Sequence, residues 1–105
     1  MRSTLNVESE LREQLVSSAT SLRLALAACP ALDYLTEASR ELAETKVVEA
    51  SAAFAEVSTV TASMRALVGL SEEAIFVLAS SEMALVVVGE ALALITGQLD
   101  ATAAA

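Results

Sequence analysis

The chain of 105 residues is 55% apolar and 19% charged. This apolar content excludes an intrinsically disordered chain, and the length allows a single domain, which we assign to residues 1–105. Fourteen acidic residues against six basic ones give a formal net charge of −8. Because nucleic-acid phosphates attract the opposite charge, we expect no binding to DNA or RNA.

The residue types present disfavour catalysis. The chain has no histidine, three glycines and one cysteine, Cys29. General acid–base catalysis near neutral pH draws mainly on histidine, and phosphate-binding loops draw on clustered glycines. We therefore predict a protein that is not an enzyme and that uses no cofactor. Cys29 is interpreted as a small buried residue at a corner between helices.

Cysteine usage and the first residues favour the cytoplasm. A single cysteine cannot form an internal disulfide, which is typical of proteins from reducing compartments. Glu8, Glu10 and Glu13 also stand where a signal peptide would need an apolar stretch. We expect a cytoplasmic protein.

Helix breakers are scarce, since three glycines and one proline are too few for strands joined by hairpins. The predicted fold is all-α: three antiparallel helices, with a long hairpin of helix 2 and helix 3, that assemble into an oligomeric helical bundle. Helix 1 is predicted over residues 5–28, with an ion pair between Glu8 and Arg12 on its outer side. Its inner side carries an apolar stripe at helical spacing, formed by Leu11, Leu15, Leu22, Ala25 and Cys29.

Helix 2 is predicted over residues 30–68, because Pro30 suits the first turn of a helix. At 1.5 Å per residue it would be about 58 Å long. Its second half shows a heptad pattern at Val47, Ala50, Phe54, Val57, Thr61, Met64 and Val68. The first half carries three acids at a spacing that could ligate a metal, but the chain has no histidine. The three acids of this face are Glu37, Glu41 and Glu44. Since Arg40 can pair with Glu37 or Glu44, we interpret the face as a solvated charged surface rather than a metal site.

Helix 3 is predicted over residues 71–99, followed by a frayed tail at 100–105. Gly69 is expected to take the left-handed conformation before it, and Ser71 to cap it. One face carries a leucine seam with a seven-residue repeat, formed by Leu78, Leu85, Leu92 and Leu99 with Val88 and Ile95. The opposite face carries Phe76, Met83, Val87 and Leu94. A helix that is apolar nearly all round is typical of the centre of a bundle or of a membrane.

A membrane span is the weaker of these two interpretations. Residues 74–96 are long enough to cross a bilayer, but the cost of inserting Glu82 and Glu90 about cancels the gain from the apolar side chains. No Lys or Arg follows Arg65, and no Trp or Tyr flanks the helix to fix its depth. The sequence therefore favours a helix 3 that is buried against a partner.

These observations predict a non-enzymatic protein–protein interaction module, a small acidic adaptor, chaperone or inhibitor that acts as a homodimer or higher homo-oligomer. The predicted oligomer interface consists of Leu78, Leu85, Val87, Val88, Leu92, Leu94, Ile95 and Leu99. A second, unidentified partner is expected to be a basic protein, because residues 66–105 carry five acids and no base. The acids that could face it are Glu72, Glu73, Glu82 and Glu90.

Two other functions remain open. The chain could be a membrane-associated protein that uses helix 3 as a span, or a carrier that holds an apolar ligand between its helices. No motif in the sequence is specific enough to indicate a family.

Overall fold

A computed structural model describes residues 4–30 and 36–104 of the chain. It contains three α-helices, α1 (Thr4–Ala28), α2 (Glu37–Arg65) and α3 (Glu72–Ala104), and the described residues form no strand. The all-α prediction is therefore confirmed. The molecule is elongated, with extents of 55 × 19 × 18 Å, because the helices lie side by side along their length.

The start of α2 differs from the prediction. Helix 2 was expected from Pro30, but Pro30 is not helical and α2 begins at Glu37; residues 31–35 of the expected helix lie outside the described part of the chain. The physical reason is a capping box. Thr36 Oγ1 accepts a hydrogen bond from the Ser39 amide at 3.1 Å, and Ser39 Oγ accepts one from the Thr36 amide at 2.7 Å. These bonds satisfy amides that the helix itself leaves unpaired.

In the connection between α2 and α3, the part that leads into α3 agrees with the prediction. Gly69 has a φ of +80°, a backbone conformation that favours glycine. Ser71 Oγ accepts a hydrogen bond from the Ala74 amide at 3.1 Å and caps α3. α2 ends at Arg65, three residues earlier than expected, and Val68 lies in the connection with 90% of its surface exposed.

The end of α3 also differs from the prediction. The residues expected to fray from position 100 onward are helical through Ala104. This extension is rich in alanine, the residue with the highest intrinsic helix propensity. With 33 residues against the 29 of α2, α3 is the longest helix, about 50 Å at 1.5 Å per residue.

The central helix of the fold is α2, because both of the extensive helix contacts, α1 with α2 and α2 with α3, involve it. Alanines make this double contact possible: Ala43 and Ala50 are fully buried and Ala53 is 6% exposed, which lets neighbouring helices approach closely. α3 lies beside α2 and not at the centre of the protomer. The apolar surface of α3 is larger than the part of it that is buried inside the protomer.

Two clusters of buried side chains form the core. The first joins the N-terminal half of α1 to the C-terminal half of α2 and the first turns of α3, through Leu15, Val57, Val60, Met64, Ala74 and Leu78. The second lies further along the bundle and contains Leu22, Ala25, Ala50, Ala53 and Leu92. The helical stripe predicted for α1 supplies Leu15, Leu22 and Ala25 to these clusters, so its orientation is confirmed.

Polar contacts tie α1 and α2 to the two ends of α3. Glu8, 6% exposed, accepts a hydrogen bond from the Ser71 amide at 2.9 Å. Arg12 pairs with Glu73 at 3.0 Å, so the expected Glu8–Arg12 pair is replaced by two contacts to the start of α3. Arg40 likewise donates to the Leu99 carbonyl at 3.4 Å instead of pairing with a neighbouring acid.

Candidate interaction surface

One side of α3 points away from α2 and is largely uncovered. Only 11% of the most apolar window of this helix is buried. The exposed residues recur at alternating steps of four and three, so they form one continuous stripe along the helix. We call this stripe the outer face; it consists of Phe76, Ser80, Met83, Val87, Glu90 and Leu94.

The outer face combines high exposure with large apolar side chains. Phe76 and Met83 are each 73% exposed, Leu94 is 68% exposed and Val87 is 66% exposed. Ile75 and Val86, at its edge, are also more than half exposed. Single exposed apolar residues are ordinary on protein surfaces, but a contiguous patch of this kind is typical of an interaction site.

The structure divides the eight residues of the predicted oligomer interface between two sides of α3. Leu78, Leu92 and Leu99 are buried inside the protomer, and Leu85, Val88 and Ile95 are half-buried. Val87 and Leu94 lie on the outer face. The leucine seam therefore serves the internal core, and the surface available to a partner is the side that also carries Phe76 and Met83. The sequence could have placed Phe76 and Met83 in the predicted interface, since they share the four-and-three spacing of Val87 and Leu94.

The four acids predicted to face a partner also separate into two groups. Glu82 forms a bidentate ion pair with Arg65, with Nε donating to Oε2 at 2.8 Å and Nη2 to Oε1, and Glu73 pairs with Arg12. Glu72 and Glu90 are exposed, and neither forms an ion pair within residues 4–30 and 36–104. Glu72 and Glu90 are therefore the acids that remain available to a partner.

The Arg65–Glu82 pair changes the protonation behaviour of both groups. The hydrogen bonds from the guanidinium, aided by its charge, lower the pKa of Glu82, and this outweighs the opposing effect of partial burial. The same contacts raise the pKa of Arg65. Glu82 is thus held in its ionised form beside the last turn of α2.

A second surface feature is an apolar cleft of about 340 Å³ between α1 and α3, with Val57 of α2 at its base. Among the described residues, Arg23 is the only charged one that lines the cleft, and none of them forms an ion pair with it. The lining residues are Ala19, Leu22, Arg23, Leu26, Val57, Ser81, Ala84, Leu85 and Val88. The cleft and the outer face lie on different sides of α3.

The other candidate residues stand apart from both surfaces. Cys29 is half-buried just after α1, with its thiol donating to the Pro30 carbonyl at 3.8 Å. Glu37, Glu41 and Glu44 are exposed on α2. In the part of the chain that the structure describes, no three Asp, Glu or Cys residues lie close enough together to hold a metal ion.

Residues Glu72–Ala101 of α3 are long and apolar enough to cross a membrane, with a mean hydropathy of 1.9 over the most apolar 18-residue window. Length and composition are weak evidence by themselves, because core helices of soluble proteins meet the same criteria. Comparisons with protein-family models, with curated proteins and with solved structures find no match for this chain.

Proposed function

We propose that the protein is a non-enzymatic protein–protein interaction module that works as a homo-oligomer of antiparallel three-helix units. The observation that carries the proposal is the outer face of α3, whose four large apolar side chains are 66–73% exposed. Burying such a patch removes apolar area from water, which is the main driving force of most protein association. A second copy of the same chain is the partner that is always present at matching concentration.

The same face argues against a membrane span as the function. Glu90 lies within the outer face, and the Arg65–Glu82 pair fixes a charged group at the side of the helix. A carboxylate at the centre of a bilayer is costly. After Arg65 the sequence has no basic residue and no Trp or Tyr that could anchor the helix at a membrane surface, and its one aromatic residue, Phe76, lies within the outer face. A protein partner accommodates these groups with less cost, because charges at an interface edge stay hydrated.

The experiment compares three exposed valines, one on each helix. Val16, Val48 and Val87 are 64%, 69% and 66% exposed, so replacing each with Glu changes the folded protomer to a similar extent. Val87→Glu places a charge in the proposed interface, where it would be desolvated. We expect Val87→Glu to dissociate the oligomer, whereas Val16→Glu and Val48→Glu leave it intact, as measured by size-exclusion chromatography with light scattering.

Circular dichroism of all three variants separates dissociation from unfolding. Equal helix content with a lower mass for Val87→Glu alone supports the proposal. An unchanged mass for folded Val87→Glu, or the same loss of mass in all three variants, contradicts it.

We further propose that the oligomer engages a basic protein as an adaptor, chaperone or inhibitor in the cytoplasm. Residues 66–105 carry five acids and no base, and Glu72, which lies outside the outer face, is exposed on α3. Attraction between exposed opposite charges accelerates association and is screened by salt. An association rate with such a partner that does not change with salt would remove this part of the proposal.

The apolar cleft supports a second candidate function, the carriage of a small apolar ligand. Its volume lies at the lower end of the range typical of small-molecule sites, and Arg23 at its lining favours a ligand with an anionic group. Calorimetry with decanoate as the probe tests this. We expect binding that Arg23→Gln weakens and that Ala84→Leu blocks by filling the cleft, whereas Lys46→Gln, a cation of α2 outside the cleft, has no effect. Equal heats for all variants would exclude the carrier function.

A further inference from the structure

The outer face of α3 has an internal symmetry that specifies how a second copy would dock. Its six members form three pairs that are equally distant from position 85. Phe76 and Leu94 each lie nine residues from it, Met83 and Val87 each lie two residues from it, and the two polar members, Ser80 and Glu90, each lie five residues from it. The stripe therefore has the same character when read in either direction.

We propose that α3 pairs with α3 of a second copy in an antiparallel orientation, about a two-fold axis that crosses the helix at the level of residue 85. This inference rests on the proposed self-association and specifies its geometry. In such a pair every residue faces the one equally distant from the axis on the other copy, as a closed two-fold interface requires. Phe76 then packs against Leu94, and Met83 packs against Val87.

The polar members of the stripe decide between the antiparallel and the parallel orientation. In the antiparallel pair Ser80 of one copy faces Glu90 of the other, and the hydroxyl can donate a hydrogen bond to the carboxylate. In a parallel two-fold pair Glu90 would face Glu90, and two like charges would be brought together at the interface. The spacing is compatible with the antiparallel pair, because each step of four on one copy faces a step of four on the other, and each step of three faces a step of three.

The position of the stripe on the protomer leaves room for this docking. It lies on the side of α3 opposite the seam that packs on α2, so α1 and α2 do not obstruct an approaching helix. From Phe76 to Leu94 the contact would be about 27 Å long. Its large side chains would together bury several hundred Å² per copy, which approaches the about 800 Å² per partner of a standard stable interface.

Disulfide cross-linking tests the orientation directly. Phe76→Cys and Leu94→Cys are made separately in a Cys29→Ser background and oxidised, first alone and then as an equimolar mixture. In the antiparallel pair, two copies of the same variant hold their cysteines about 27 Å apart, far beyond the about 6 Å between the α-carbons of a disulfide. We expect a disulfide-linked heterodimer from the mixture and almost no cross-linked product from either variant alone. Val48→Cys in the same background measures random collision.

The outcomes separate this inference from the proposed self-association. Cross-linking of Phe76→Cys with itself, above the Val48→Cys level, would show parallel pairing and overturn the antiparallel register. A dimer by light scattering with no cross-link in the mixture would show that another surface is used. A background protein that is monomeric by light scattering would overturn the self-association itself.

A charge series at position 80 gives an independent measurement. Ser80→Lys would place a cation opposite Glu90 of the other copy, at two equivalent sites in the dimer, and we expect a dissociation constant lowered about threefold or more. Ser80→Glu would place two carboxylates opposite each other and raise the constant by at least as much. Ser51→Lys and Ser51→Glu, at an exposed serine of α2, are the matched controls. Equal responses at positions 80 and 51 would overturn the register.

Discussion

Glu8 is the residue whose role is least visible in the sequence. Its carboxylate is nearly buried and accepts the amide of Ser71, at the start of α3 and 63 positions away along the chain. An anion at a helix N-terminus is stabilised by unpaired amides and by the helix dipole. The contact therefore fixes the start of α3 against α1.

Replacing Glu8 with Ala should lower the free energy of unfolding by about 1–3 kcal/mol, because the Ser71 amide loses its charged acceptor. Glu8→Gln keeps an acceptor oxygen and should cost less. Glu13→Ala, at an exposed acid of the same helix, is the control and should change stability by less than about 0.5 kcal/mol. Urea unfolding at one protein concentration measures all three. A Glu8→Ala protein as stable as the parent would show that the contact contributes nothing.

The Arg65–Glu82 pair predicts a pH dependence of stability. Because the pKa of Glu82 is lowered in the folded protein, its contribution is present at neutral pH and is lost as the pH falls through the range of a carboxyl group, below about 4. Glu82→Gln should therefore be less stable than the parent at pH 7, and the difference should decrease as the pH falls through the lowered pKa of Glu82. The difference should be small, since the pair is partly exposed, and should shrink in salt. A difference between the two proteins that does not decrease as the pH falls would contradict this assignment.

At the residue scale, local signals in the sequence were sufficient and distant ones were not. Gly69 and Ser71 were assigned correctly because the left-handed turn and the cap depend only on adjacent residues. The pairing of Glu8 with Arg12 was wrong, because spacing along one helix shows which side chains can meet but not which partner on another helix competes for them. Glu82 was predicted as an acid that could face a partner protein, whereas its side chain pairs with Arg65 on a different helix of the same chain.

Among the elements, α3 contains two glycines, Gly89 and Gly97, and replacing each with alanine would distinguish the effect of helix propensity from that of packing. A methyl group at Gly97 would meet no atom within 4 Å, whereas one at Gly89 would lie 3.2 Å from Phe54 Cζ. Gly97→Ala should therefore raise the free energy of unfolding by about 0.5–1 kcal/mol through propensity alone. Gly89→Ala should gain less, because the Phe54 ring must move.

Thermal unfolding of both variants, followed by circular dichroism at one protein concentration, measures the difference. Gly97→Ala should show the higher midpoint of the two. A midpoint for Gly89→Ala equal to or above that of Gly97→Ala would show that Phe54 and α3 do not pack closely at this position.

Helix existence and helix limits were predictable to different degrees. The scarcity of glycine and proline predicted three helices, and their approximate positions agree with the structure. Pro30 predicted the wrong start for α2. Proline only permits a helix to begin, whereas the reciprocal hydrogen bonds of the capping box between Thr36 and Ser39 stabilise a start at Glu37. The tail was expected to fray for lack of an apolar pattern, but alanine continues a helix without one.

On the scale of the whole molecule, the sequence identified the apolar faces but not their neighbours. Both faces of α3 are visible in its heptad spacing. Which face packs on α2 depends on α2 itself: its short alanine side chains leave room for the leucines of the seam, and Leu92 packs against Ala50 and Ala53. The predicted interface therefore mixed six residues that are buried or half-buried in the protomer with two, Val87 and Leu94, that are exposed. The sequence could not separate them because both sets have the same period.

We propose above that the exposed face of α3 is covered by a second copy of the chain. Sedimentation equilibrium of the unmodified protein at micromolar concentration tests it most directly. We expect a species of twice the protomer mass of 10.8 kDa, which dissociates on dilution with a single two-state equilibrium. A well-folded species that sediments at the protomer mass throughout the micromolar range would contradict it.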